Sequence, residues 1–109
     1  MTLRQLPLEE TLASLPPEWP EDPMPEIRAA IEERGEKTVV IDDDPMGTQT
    51  VANVSVLTEW PVKSIAEELG NDLRGTFLLT NSRSMPAAEA VAVVSEAGRN
   101  VRTAAKQTG

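Results

Sequence analysis

A run of apolar, mostly β-branched residues that ends in three consecutive aspartates constrains this chain more than any other stretch. Residues 38–50 have the sequence TVVIDDDPMGTQT. This pattern is typical of a buried strand that delivers polar side chains to the carboxyl edge of a sheet, where open α/β proteins bind ligands. Adjacent carboxylates repel one another unless a cation or hydrogen-bond donors face them. We therefore interpret the turn as a functional site; a solvated acidic loop is the alternative.

The rest of the chain alternates between strands and helices. Apolar periodicity predicts helices over 24–34, 61–69 and 87–105, and β-rich runs predict strands over 54–58 and 76–80. Such alternation implies an α/β fold, three-layered and Rossmann-like, with a mainly parallel sheet whose carboxyl ends share one side. Ordinary sheets have about four to six strands. We therefore expect the fold to be incomplete in this chain, as the front part of a larger protein.

Composition excludes several classes of function. The chain has no His and no Cys, which rules out imidazole bases, thiol nucleophiles, disulfides and the usual zinc sites. A metal would have to be hard and oxygen-bound, such as Mg²⁺, and we assign no metal ligand. The net charge of -8 disfavours nucleic acid. No apolar run approaches the roughly 20 residues that span a bilayer, so we expect no membrane partner and a cytoplasmic location, and leave a homo-oligomer open.

The first 25 residues differ from the remainder. They contain six of the nine prolines, several acids and one base, so we predict a proline-rich acidic extension over 1–25 with little regular structure, followed by a domain over 26–109. We expect at least some apolar side chains of the extension to dock on the main body or on a partner chain. These are Leu3, Leu6, Leu8, Leu12, Leu15 and Trp19.

A second polar motif, Asn81-Ser82-Arg83-Ser84, follows the strand predicted over 76–80. Its Arg has a planar fork that suits a carboxylate or phosphate, whereas the aspartates of the first motif accept hydrogen bonds from hydroxyls or hold Mg²⁺. A ligand with one acid group and several hydroxyls would use both motifs. An internal salt bridge is the alternative.

Three segments together carry a family resemblance. They are V-V-I-D-D-D-P-M-G-T-Q-T from Val39, V-L-T-E-W from Val56 and L-L-T-N-S-R-S-M-P from Leu78. In this order they resemble the N-terminal domain of the four-carbon acid sugar kinase family, ATP-dependent kinases of threonate, erythronate and related 3-oxo acids. The resemblance implies that 26–109 is the front part of a sugar-acid-binding domain. A separate C-terminal domain would then bind ATP and Mg²⁺, with no cofactor-binding residue in this chain.

The resemblance also assigns roles to residues. Asp43, Asp44, Ser82 and Arg83 would bind the sugar acid, with Arg83 on its carboxylate. Asp43 and Asp44 would be the catalytic residues, holding or deprotonating the hydroxyl that attacks the γ-phosphate. The family normally has Thr where this chain has Met46.

We expect the family's next motif and its nucleotide domain to lie beyond these 109 residues. The motif, Lys/Arg-x-Asp-Ser-Thr-x-Arg-Gly, would begin just past Gly109. No glycine-rich phosphate loop is present in the chain. We therefore expect no ATP turnover by this chain alone.

Two other interpretations stay open. A haloacid-dehalogenase-like phosphatase also begins with a strand ending in Asp-x-Asp, and Asp42, Asp44 and Thr80 satisfy that pattern loosely, with Asp42 as the nucleophile. No Lys or paired-acid motif follows to support it. The second alternative is a non-catalytic binding or assembly module, or an inactive remnant.

Overall fold

A computed structural model describes residues 5–109. The chain divides into two compact units, one ending at Arg34 and the other spanning Gly35–Gly109, and each is described by itself. The elements, in chain order, are α1 Leu8–Ala13, α2 Met24–Arg34, β1 Thr38–Asp42, a 3₁₀ helix Pro45–Thr50, β2 Ser55–Leu57, α3 Val62–Leu69, β3 Gly75–Leu79, a 3₁₀ helix Ser82–Ser84 and α4 Ala87–Thr108.

The first unit contains a helix that the sequence did not indicate. α1 follows Pro7, and Glu9 and Glu10 lie in its first turn. A proline is tolerated there because the first backbone N–H groups of a helix have no partner within it. The apolar side chains of the predicted extension, which are Leu6, Leu8, Leu12, Leu15 and Trp19, are between 57% and 79% exposed. Leu3 lies outside the described residues, and docking of this set stays a prediction.

The helix predicted over 24–34 is confirmed as α2. It is followed by Gly35, whose φ of 63° is the left-handed conformation that commonly ends helices at a glycine. The structural division of the chain falls after α2, whereas the sequence-based boundary between residues 25 and 26 falls within its first turn. The assignment of 26–109 to a sugar-acid domain stays a prediction.

The second unit contains a three-stranded parallel sheet in the order β1-β3-β2. Val40 of β1 and Val56 of β2 both lie opposite Phe77 of the central strand. The predicted strands and the α/β class with an open parallel sheet are thus confirmed, as an incomplete Rossmann-like fold.

The core lies between one face of this sheet and the helices α3 and α4. Leu78 of β3 and Ile65 of α3 are fully buried, and Ala97 and Ala104 of α4 pack with them. Because alanine side chains are small, α4 can approach the sheet closely. Burying these four residues orders the strands, and it thereby sets where the strand ends lie.

The opposite face of the sheet is only partly covered. A cavity of about 480 Å³ opens there near the amino ends of β1 and β3, lined by Val40, Phe77 and other mainly apolar residues.

None of the helices in the described part of the chain has the length and apolar composition needed to span a bilayer.

Lys37 connects the start of β1 to the end of α3. Its ammonium group donates to the carbonyl and side-chain oxygens of Asn71 and, at 2.9 Å, to the carbonyl oxygen of Glu68. The last carbonyl groups of a helix lack partners within it, so a cation at this position both satisfies them and complements the helix dipole.

We expect Lys37→Met to lower the free energy of unfolding by about 1–3 kcal/mol, because the carbonyl oxygens of Glu68 and Asn71 would lose a charged donor. Urea unfolding measures this change. We expect a lower midpoint and an unchanged dependence of the free energy of unfolding on urea concentration. Lys63→Met is the control: Lys63 is an exposed lysine on α3 that pairs with Glu67 at 3.9 Å. Its replacement should change the free energy by less than about 0.5 kcal/mol. Equal effects of the two substitutions would contradict this role of Lys37.

Candidate functional site

The ends of β1 and β3 lie side by side and are joined by hydrogen bonds. The carbonyl oxygen of Asp42 accepts from Thr80 twice, from its backbone N–H at 2.8 Å and from its hydroxyl at 2.9 Å. One residue further on, the backbone N–H of Arg83 donates to the carbonyl oxygen of Asp43 at 3.2 Å. The two polar motifs of the sequence therefore form a single site at the carboxyl edge of the sheet.

Arg83 bridges the two aspartates that follow Asp42. Its Nε and Nη2 donate to the two carboxylate oxygens of Asp43 at 3.2 and 3.0 Å, and its Nη1 donates to Asp44 Oδ2 at 3.0 Å. The hydrogen bonds to Asp43, together with the charges of Asp43 and Asp44, raise the pKa of Arg83. The guanidinium side chain is nevertheless 65% exposed. An ion pair this open adds little to stability, and the groups are accessible to a ligand.

Asp44 is held more firmly than Asp43. Its Oδ1 accepts from the backbone N–H of Met46 at 2.7 Å, which caps the 3₁₀ helix Pro45–Thr50. Its own N–H donates to Asp42 Oδ1 at 3.2 Å. Its side chain is 22% exposed, compared with 48% for Asp43. Asp43 is therefore the more open carboxylate of the site, whereas Asp44 is oriented by the turn.

Asp42 lies beneath this turn, close to Gly47. Its Oδ2 is buried and has no hydrogen-bond partner among residues 5–109. A Cβ atom at Gly47 would lie 2.3 Å from that oxygen, closer than real Cβ contacts allow. Only glycine, which has no side chain, permits the turn to cover Asp42 in this way.

Ser82 occupies a different position from Arg83. It is only 6% exposed, and its hydroxyl lies 2.9 Å from the hydroxyl of Thr80. The structure thus brings Asp43, Asp44 and Arg83 together at the surface and places Ser82 behind them, in the turn that carries Arg83. Its predicted contact with a substrate stays a prediction.

A cleft of about 160 Å³ lies at this site. Ordinary ligand pockets have volumes of roughly 300–1,000 Å³, so the cleft suits only a small ligand. The predicted site residues Asp43, Asp44 and Arg83 line it, and so do Asn81 and Ser84, which were not among those predictions. The motif contained both missed residues, but nothing in the sequence indicated which of its members face the cleft.

The aspartate turn does not form a metal-binding cluster. Across residues 5–109, no group of three or more acidic side chains could hold a metal ion. The family resemblance assigns ATP and Mg²⁺ to a separate domain, and their binding there stays a prediction.

A family model described as the sugar-binding N-terminal domain matches residues 38–109. The chain belongs to this family. The match begins at the first residue of β1, so the sugar-binding N-terminal domain includes both strand ends, the aspartate turn and the Arg83 turn. Family membership supports a sugar-binding role and a small-molecule sugar as partner. Searches of curated proteins and of solved structures gave no match.

We expect Gly47→Ala to lower the free energy of unfolding by about 1–3 kcal/mol, because the new methyl group would displace the Asp42 carboxylate. Gly98→Ala is the matched control, since nothing lies within 4 Å of a Cβ at that position of α4. It should raise the free energy of unfolding by about 0.5–1 kcal/mol, because alanine favours helix more than glycine does. Thermal and urea unfolding measure the stability of both variants. A neutral Gly47→Ala would show that the turn does not depend on this close approach.

Proposed function

We propose that this chain is the substrate-binding part of an ATP-dependent kinase that phosphorylates a four-carbon sugar acid, of the threonate or erythronate type or a 3-oxo derivative. One observation carries the proposal. In a member of a sugar-binding family, Arg83 lies between Asp43 and Asp44 at the open ends of two strands. A guanidinium beside carboxylates offers both kinds of partner that a hydroxylated acid needs.

In this proposal, Arg83 binds the carboxylate of the sugar acid. A guanidinium has five N–H groups, and three donate to Asp43 and Asp44. Two N–H groups remain for a ligand, and the exposure of the side chain lets a small anion reach them. Because the aspartates already orient the guanidinium, little conformational entropy is lost when the ligand binds.

Asp43 and Asp44 would bind the hydroxyl groups of the same ligand. An ionised carboxylate only accepts hydrogen bonds, so it suits a hydroxyl proton and can hold that proton when the hydroxyl reacts. Asp43 is the more open of the two and is the better placed to meet a ligand first. Ser82 would support the turn that carries Arg83. A nucleotide, held by residues outside this chain, would supply the phosphoryl group.

The phosphatase alternative needs Asp42 as an accessible nucleophile. Gly47 lies close against Asp42 Oδ2, and Asp42 Oδ1 accepts a hydrogen bond from the backbone N–H of Asp44. The hydroxyl of Thr80, the second residue of that pattern, donates to the carbonyl oxygen of Asp42. A buried Oδ2 under the turn is a poor nucleophile for a phosphate ester, which favours the sugar-acid proposal.

We expect calorimetry to detect binding of threonate or erythronate to the 109-residue chain. Arg83→Gln should weaken that binding at least about tenfold, because charge-assisted hydrogen bonds to the carboxylate would be lost. Erythritol, which has the hydroxyls of erythronate without its carboxylate, should bind more weakly to the unaltered chain and be little affected by Arg83→Gln. The difference between these two ligands isolates the contribution of the carboxylate.

Arg102→Gln, on the exposed surface of α4, is the matched control and should leave the affinity unchanged. Equal affinity of erythronate for the unaltered chain and for Arg83→Gln would contradict the proposal. Incubation with beryllofluoride tests the phosphatase alternative. A stable adduct on Asp42 would support that alternative against the kinase.

A further inference from the structure

We propose that Asn81 is a further substrate-binding residue, whose side-chain amide contacts a hydroxyl group of the sugar acid. This inference rests on the proposed function and adds a residue to which the sequence analysis assigned no individual role. It depends on the position of Asn81 in the cleft, on its unused hydrogen-bonding groups and on the chemistry of its neighbours.

Asn81 lines the cleft together with Asp43, Asp44 and Arg83. Its carbonyl oxygen accepts from Ser84 twice, from the backbone N–H at 3.3 Å and from the hydroxyl at 3.0 Å. These bonds hold the backbone of the turn. The side-chain amide, in contrast, is exposed and makes no hydrogen bond to any other residue in the described range 5–109. It is therefore available to a ligand in a site whose backbone is already ordered.

The backbone of Asn81 is left-handed, with φ 52° and ψ 23°. Glycine adopts this conformation most easily, and asparagine is among the few other residues that tolerate it. The backbone requirement could thus be met without any side chain. Asparagine meets the same requirement and adds an amide to the cleft.

The aspartates of the cleft cannot satisfy every hydrogen-bonding group of a ligand hydroxyl. Carboxylates only accept hydrogen bonds, whereas a hydroxyl both donates and accepts. A hydroxyl that donates to Asp43 or Asp44 still has free lone pairs, and the Asn81 amide can donate to them without adding charge. Its amide oxygen can accept from a second hydroxyl, so one neutral side chain suits neighbouring hydroxyls of a sugar acid.

Asn81→Gly separates the amide from the backbone conformation, because glycine keeps the left-handed turn without strain. We expect Asn81→Gly to weaken binding of erythronate or threonate about tenfold in calorimetry, with an unchanged midpoint of thermal unfolding. A binding constant equal to that of the unaltered chain would overturn the inference, since Asn81 would then serve the backbone alone.

Asn81→Asp provides a second, independent measurement. Aspartate also tolerates the left-handed conformation, but it removes the donor and adds a third carboxylate to the cleft. Asn81→Asp should therefore lower the affinity for erythronate more than Asn81→Gly does. It should lower the affinity for uncharged erythritol less than that for erythronate, because the added carboxylate repels only the acid. An affinity of Asn81→Asp for erythronate equal to that of the unaltered chain would contradict the inference.

The two proposals fail in different ways. If the unaltered chain binds neither threonate nor erythronate, the proposed function is overturned, and this inference falls with it. If the unaltered chain binds one of them and both Asn81 variants bind it as tightly as the unaltered chain does, only the role of Asn81 is overturned.

Discussion

The hydrogen bonds between the ends of β1 and β3 are the constraint on which the site depends. The carbonyl oxygens of Asp42 and Asp43 accept from Thr80 and Arg83, residues about forty positions later in the chain. Backbone and hydroxyl groups make these bonds, so they hold the turns in place independently of charge. The aspartates and Arg83 can then remain at the surface, oriented by the turns rather than buried by the core.

The site departs from what stability alone would favour. Asp42 has a buried carboxylate oxygen without a partner among the described residues, Gly47 approaches it too closely for any side chain, and Asn81 adopts a left-handed backbone. Each feature lowers stability or restricts which residue can occupy the position, and the exposed ion pairs add little stability in compensation. Proteins retain such features mainly at functional sites, so the presence of all three beside this small cleft supports a binding role there.

The cavity on the partly covered sheet face and the cleft at the strand ends have different characters, and of these two only the cleft has the chemistry of sugar recognition. The cavity beside Val40 and Phe77 is larger but mainly apolar, as expected of a sheet face that is only partly covered. The cleft at the strand ends is small and is lined by charged and amide groups. A sugar presents hydroxyls, which need convergent donors and acceptors rather than apolar area, so the smaller cleft is the better candidate for the family's ligand.

The sequence by itself determined the strands, the helices α2, α3 and α4 and the meeting of the two motifs. Apolar periodicity is a local signal, and strands that alternate with helices form a parallel sheet whose carboxyl ends share one edge. The sequence did not indicate α1, since a proline-rich composition conceals a six-residue helix. Only the tertiary structure decided which residues of the second motif face the cleft. Ser82 is buried against Thr80, whereas Asn81 and Arg83 line the cleft. The physical reason is that the left-handed backbone at Asn81 and the bonds across the two turns set these directions, and those bonds join residues far apart in the chain.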